Sequence, residues 1–164
     1  MDNQRIITAG FVGGLVAGAL NSIPFLNFIN CFCCLGIILG GVVALIYYDR
    51  TFDISMREYI SPAVAVTLGI AAGLFGAFIS LFIEWIIYIN FGHWEIEFMN
   101  ELMDNMDEVP QVMEDLVHEF EVELGEGFIW ASILFRNLIL MPIFCLIGAL
   151  IARVVLNKDR QHTI

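Results

Sequence analysis

Three cysteines stand within four positions of the stretch N-F-I-N-C-F-C-C-L-G, at Cys31, Cys33 and Cys34. Cys31 and Cys34 have the C-x-x-C spacing of a thiol-redox pair, and a thiolate is stabilised at a helix N-terminus. Zinc is not expected, because a tetrahedral site needs four ligands and the fourth cysteine, Cys145, lies far along the chain. We favour a second interpretation, in which Asn30 caps a helix and the cysteines of its first turn pack as small hydrophobic side chains.

Two ionisable residues, Glu84 and Arg136, stand inside long apolar stretches. They are expected at similar depths in consecutive antiparallel spans, and a lone charge in hydrocarbon is costly. We therefore predict an intramembrane ion pair between them. Two alternatives stay open: each side chain reaches separately to the headgroups, or the pair forms a proton or ion site.

Other catalytic patterns are missing from the sequence. It has no Gly-rich phosphate loop, no G-x-S-x-G and no H-E-x-x-H, so we predict neither an enzyme nor a cofactor. His118 beside Glu114 and Asp115 is the nearest approach to a divalent-cation site, and a solvated acidic surface is the favoured interpretation.

The elements that must position these residues are membrane helices. The chain has 164 residues, of which 59% are hydrophobic and only 15% charged. A helix that crosses a bilayer needs about 20 largely apolar residues, and four stretches qualify, at 6–26, 29–48, 62–89 and 128–155. The predicted fold is an all-α integral membrane protein, a single membrane domain over 1–164 with four transmembrane helices in two hairpins.

The basic residues predict the orientation of these spans. Six of the seven precede span one, lie between spans two and three, or lie at the inner end of span four or after it: Arg5, Arg50, Arg57, Arg153, Lys158 and Arg160. Basic residues accumulate on the cytoplasmic side of membrane proteins. We therefore predict a multi-pass protein of the inner or plasma membrane with both termini in the cytoplasm.

The segment 93–127 carries most of the net charge of −11, since it holds 12 of the 18 acidic residues and no Lys or Arg. Its apolar residues recur at spacings of three, four or seven, which predicts acidic amphipathic helices outside the cytoplasm. The apolar stripe forms a predicted outer association face of Met99, Met103, Met106, Met113, Val117 and Phe120. Nucleic acid is excluded as a partner, because phosphate binding needs a basic surface.

Glycines recur every three or four positions within the first three spans. This pattern lets helix backbones approach closely in a membrane. The predicted helix-packing residues are Gly10, Gly14, Gly18, Gly36, Gly40, Gly69, Gly73 and Gly76.

The turn I-P-F-L-N-F-I-N-C-F-C-C, the following I-L-G-G-V-V-A-L-I-Y-Y and the Gly-rich third span resemble a family of small Gly-rich four-span prokaryotic membrane proteins, of the domain-of-unknown-function type. The resemblance runs from the N-terminus through the third span. It implies a four-span architecture and carries no activity.

These observations favour a non-enzymatic membrane protein that acts by association. We predict an accessory or scaffold subunit that binds the lipid bilayer and either a second copy of itself or another membrane subunit. A small channel or transporter and a membrane thiol-redox protein remain as alternatives.

Overall fold

A computed structural model of the chain describes residues 3–23, 34–51, 59–92 and 126–161, which form four α-helices. They are α1 (Asn3–Ser22), α2 (Leu35–Arg50), α3 (Pro62–Phe91) and α4 (Glu126–Gln161). Helix α1, helix α3 and the part of α4 from Trp130 to Lys158 are each long and apolar enough to cross a membrane. The described part of the chain is therefore all-helical and has the composition of a membrane protein.

Helix α2 begins later than the sequence predicts. Cys34 is its N-cap, with a left-handed φ of 57°, and Leu35 is the first helical residue. Asn30, the expected cap, lies outside the described residues and is not the residue that precedes this helix. The 16 residues of α2 span about 24 Å at 1.5 Å per residue, less than the roughly 30 Å of hydrocarbon in a bilayer. The crossing by span two, and with it the count of four, stays a prediction.

The ends of α3 follow from its local sequence. Ser61 precedes the helix and its Oγ accepts a hydrogen bond of 3.3 Å from the Val64 amide, as an N-cap does. Pro62 follows at the first helical position, where its missing N–H leaves no bond unmade. At the other end Gly92 adopts a positive φ of 65°, and its amide donates to the Tyr88 carbonyl over 2.8 Å. A glycine in this conformation is a common helix terminator.

The chain divides into two compact units, the first made of residues 1–84 and 134–164 and the second of residues 85–133. In the described part of the second unit, the rings of Tyr88 and Trp130 meet edge to face, with centroids 5.4 Å apart. The first unit contains α1, α2 and most of α3 and α4, and its packing depends on small residues.

Helix α1 packs against both α2 and α3 of the first unit. On the α2 side, a methyl group added to Gly13 would lie 2.5 Å from the carbonyl oxygen of Gly40 and from Cβ of Ala44. On the α3 side, one added to Gly14 would lie 2.6 Å from Cβ of Phe75. No side chain larger than hydrogen fits at these positions without separating the helices.

Helix α4 packs against α2 and α3 in the same way. A methyl group added to Gly41 would overlap the Cys145 carbonyl, and one added to Gly73 would overlap the backbone of Pro142. Pro142 lies inside α4, where it cannot donate the helical hydrogen bond of its turn. The close approach of Gly73 therefore falls at the turn of α4 that lacks this hydrogen bond.

Candidate functional site

Five polar side chains from three helices meet inside the first unit, around the hydroxyl of Ser80. We call this set the Ser80 cluster; it consists of Asn21 and Ser22 of α1, Ser80 and Glu84 of α3, and Asn137 of α4. Ser22, Ser80 and Asn137 are buried, with Ser80 fully inaccessible, while Asn21 and Glu84 are partly buried. The cluster lies within candidate membrane-spanning helices, where polar groups are rare and usually functional or helix-joining.

Helical geometry explains how these side chains are brought together. Ser80 and Glu84 are four residues apart, so they lie on one face of α3, and the Ser80 hydroxyl donates to Oε1 of Glu84 over 2.9 Å. On α1, Gly18 allows close contact with α3, since an added methyl group would lie 2.9 Å from the Gly76 carbonyl oxygen. This approach places the last turn of α1 beside Ser80.

The hydroxyl of Ser80 has four side-chain neighbours within hydrogen-bonding distance. Ser22 Oγ lies 2.7 Å away, Asn21 Nδ2 2.9 Å, Glu84 Oε1 2.9 Å and Asn137 Nδ2 3.2 Å. One hydroxyl donates a single proton and accepts at two lone pairs. When Ser80 donates to Glu84 and accepts from the two amides, the Ser22 hydroxyl donates instead to the Ser80 backbone oxygen, 3.2 Å away. The cluster is thus a densely coordinated set of exchangeable hydrogen bonds.

A second polar group joins α4 to the residues that precede α3. Oδ1 of Asn157 accepts from the Ile60 amide over 3.1 Å, and its Nδ2 donates to the Ile60 carbonyl over 3.0 Å. Nε of Arg153 donates to the same carbonyl over 2.9 Å, and its guanidinium lies 5.5 Å from the centroid of the Tyr59 ring. We call this arrangement the Ile60 clamp. It satisfies the backbone N–H and C=O of Ile60, a buried residue that belongs to no helix.

An ion pair joins α2 to α4. The guanidinium of Arg160 contacts the carboxylate of Asp49, which is buried. A buried charge needs a partner of opposite sign. This pair therefore ties the last turn of α2 to the last turn of α4.

Comparison of the chain with protein-family models, with curated proteins and with solved structures gives no match. Within the described ranges no three His, Cys, Asp or Glu side chains come together as metal ligands. The oxygen atoms of the Ser80 cluster come from one carboxylate, two hydroxyls and two amides.

The predicted ion-pair residues both lie in the first unit. Glu84 bonds Ser80, whereas Arg136 is exposed on α4, one position before the buried Asn137. The pairing of Glu84 with Arg136 stays a prediction.

The predicted packing glycines lie in α1, α2 and α3, and those of α1 all face α3. Gly10, Gly14 and Gly18 lie against α3, Gly40 against α1, and Gly69 and Gly73 against α4. Gly76 lies against both α1 and α4, and Gly36 is buried in α2.

The other predicted site residues lie wholly or partly beyond the described part of the chain. Cys34 stands at the N-cap of α2, but Cys31 is outside the described residues, so the thiol pair stays a prediction. The outer association face from Met99 to Phe120 is outside them as well.

The sequence analysis did not single out Ser80, Asn137 or Asn157. A signal was available in the isolated amides of the apolar fourth span and in the four-residue spacing of Ser80 and Glu84. Such polar residues in an apolar helix predict an internal contact, but they do not identify the partner.

Proposed function

We propose that this chain is a non-enzymatic, multi-pass protein of the inner or plasma membrane, with both termini in the cytoplasm, that acts as an accessory or scaffold subunit. It associates with a second copy or with another membrane subunit. The proposal needs a rigid membrane part and a separate surface that binds a partner.

Buried polar side chains support the rigid membrane part. The described residues contain five buried polar or charged side chains: Ser22, Asp49, Ser80, Asn137 and Asn157. Each of them bonds a different helix or the segment before α3. Interhelical hydrogen bonds and close packing at glycines stabilise the association of helices in lipid. The buried polar chemistry of this part of the chain thus supports a fixed arrangement of helices.

The outward side chains fit a bilayer. Large apolar side chains are exposed along all four helices, among them Phe11, Leu39, Phe78, Phe82, Phe135 and Ile151. In water such a surface would drive aggregation, whereas lipid chains solvate it. The partner surface is then the segment 93–127, whose sequence combines the apolar stripe with a high negative charge.

The association function is tested by removing the segment. A variant in which a short Gly/Ser bridge replaces residues 96–123 should insert normally and lose oligomer or partner mass in native mass spectrometry of gently solubilised protein. An unchanged mass in this variant would contradict the proposal.

A matched pair of substitutions sharpens the test. Val117→Gln places a polar side chain on the predicted apolar stripe, whereas Val122→Gln makes the same change away from it. We expect Val117→Gln to weaken assembly and Val122→Gln to leave it near the wild-type level. Equal effects would mean that the stripe is not the contact surface.

A small channel or transporter is the second candidate. The observation that favours it is the carboxylate of Glu84 within the Ser80 cluster, because ionisable residues in membrane helices commonly mark ion or proton paths.

A further inference from the structure

The Ser80 cluster contains more polar chemistry than a helix contact requires. Two hydrogen bonds, one between Ser22 and Ser80 and one between Asn137 and Ser80, already join α1, α3 and α4. A glutamine at position 84 would accept the same bond from Ser80 without placing a charge in a membrane helix. A carboxylate inside a membrane helix is costly, and such residues commonly mark ion or proton sites.

The oxygen atoms of the cluster suit a hard cation of low charge. Glu84 supplies a carboxylate, Ser22 and Ser80 supply hydroxyls, and a half-turn of either asparagine amide exchanges its NH₂ for its carbonyl oxygen. Hard cations prefer such ligands, and divalent ions are usually held by several carboxylates. One carboxylate balances one positive charge.

The spacing of the oxygens favours a small ion. Ser80 Oγ lies 2.7 Å from Ser22 Oγ and 2.9 Å from Glu84 Oε1. These separations are hydrogen-bond lengths, so an ion enters when the hydroxyl hydrogens turn away and the oxygens move apart, and Na⁺ requires a smaller displacement than the larger K⁺. A proton on the Glu84 carboxylate is the alternative, and unfolding measured in different salts distinguishes a proton from Na⁺.

The C-terminal end of helix α1 also favours a cation at the cluster. It ends at Ser22, so its C-terminal carbonyls and the negative end of its dipole lie beside the cluster. Helix C-terminal ends coordinate Na⁺ or H⁺ within other membrane proteins. Here the helix end and the carboxylate reinforce each other.

We propose that the Ser80 cluster binds one Na⁺, with Glu84 as the anionic ligand and the hydroxyls of Ser22 and Ser80 as neutral ligands. Asn21 and Asn137 orient the hydroxyls and turn their amide oxygens to the ion when it is bound. This site is independent of the proposed association function.

The first experiment measures unfolding of the purified full chain in lipid nanodiscs, in NaCl, KCl and choline chloride at equal ionic strength. At a Na⁺ concentration ten times Kd, binding to the folded state alone lowers the unfolding equilibrium constant about 11-fold. We expect this shift in NaCl only. Equal stability in the three salts would overturn the proposal, as would stabilisation by acid without any response to Na⁺, which would indicate a protonated carboxyl.

Substitutions test whether Glu84 is the anionic ligand of the ion. Glu84→Gln should keep the hydrogen bond with Ser80 and lose the Na⁺ shift. Glu114→Gln removes the same charge from the acidic segment and should keep it. Persistence of the shift in Glu84→Gln would place the ion elsewhere.

A direct measurement needs no variant. Equilibrium binding of ²²Na⁺ to the wild-type chain should saturate at one ion per chain and be displaced poorly by K⁺. Absence of saturable binding would overturn the proposal even if Glu84→Gln failed to fold.

Discussion

At the scale of the residue, Ser80 connects three helices through one oxygen atom. Interhelical hydrogen bonds in membrane proteins contribute on average about 0.6 kcal/mol each, but a buried polar group left without its partner costs about 1–3 kcal/mol. The energetic importance of Ser80 therefore comes from the amides of Asn21 and Asn137 and from the Ser22 hydroxyl, which all point at it.

Ser80→Ala is expected to destabilise the chain by about 1–3 kcal/mol, because buried amide and hydroxyl groups lose a shared partner. The measurement is unfolding by titration with a denaturing detergent. Thr67→Val is the control: Thr67 is exposed on the same helix and bonds only the Ala63 carbonyl, so its effect should stay within about 0.5 kcal/mol. Similar losses of stability in the two variants would show that the hydrogen bonds of the Ser80 cluster contribute no more than that of an exposed threonine.

The sequence identifies Ser80 as small and Glu84 as unusual, and it cannot go further. The partners of Ser80 on α1 and α4 lie 57 to 59 residues away, and helical periodicity reports only which residues share a face of one helix. The Ile60 clamp was missed for the same reason, since Asn157 is 97 residues from Ile60.

At the scale of the element, the distance between two packed helices depends on the size of the residues at their contact. Gly41 lies so close to the Cys145 carbonyl of α4 that an added methyl group overlaps it, whereas the same group on Gly76 would lie 3.3 Å from its nearest neighbours, the Cβ of Ala17 and the Sδ of Met141. Backbone atoms cannot move aside without moving a helix, but a methionine sulfur can.

Gly41→Ala is therefore expected to destabilise the bundle by about 1–3 kcal/mol through overpacking, despite the gain of up to about 1 kcal/mol in helix propensity. Gly76→Ala gains the same propensity and should be close to neutral. Detergent-induced unfolding of both variants measures the difference. A Gly41→Ala variant as stable as Gly76→Ala would mean that α2 and α4 are not in close contact.

The positions of α1, α3 and α4 overlap the predicted spans, because long apolar runs with clear boundary residues such as Pro62 and Gly92 define a helix locally. The beginning of α2 was harder to predict. Its expected cap, Asn30, is followed by Cys31, Phe32 and Cys33, none of which disfavours a helix strongly. Nothing in these residue types specifies Leu35 as the first helical position.

At the scale of the whole molecule, the number of spans decides the topology. An even number places both termini on one side of the membrane, and an odd number separates them. The basic residues favour the first arrangement.

A fluorescent protein that folds only in the cytoplasm should therefore be active when fused to either terminus. Alkaline phosphatase, which is active only outside it, should be active when inserted within 93–127. Exchanging the two reporters at each position is the control and should abolish both signals. Fluorescence at one terminus only would show that α2 does not complete a crossing.

The Ile60 clamp forms only late in the synthesis of the chain, because its two parts lie far apart in the sequence. Ile60 leaves the ribosome long before Asn157, and at about 5–20 residues per second the delay for 97 residues is roughly 5–20 s. During that interval α3 follows Ile60 out of the ribosome and the residues before α3 lack their docking partner in α4, so the last helix acts as a closing latch. Nascent chains arrested before Asn157 is exposed should be cut by chymotrypsin after Tyr59, and longer ones should resist. Protection should not develop in an Asn157→Leu chain of any length, and a protected short chain would show that the start of α3 docks without its latch.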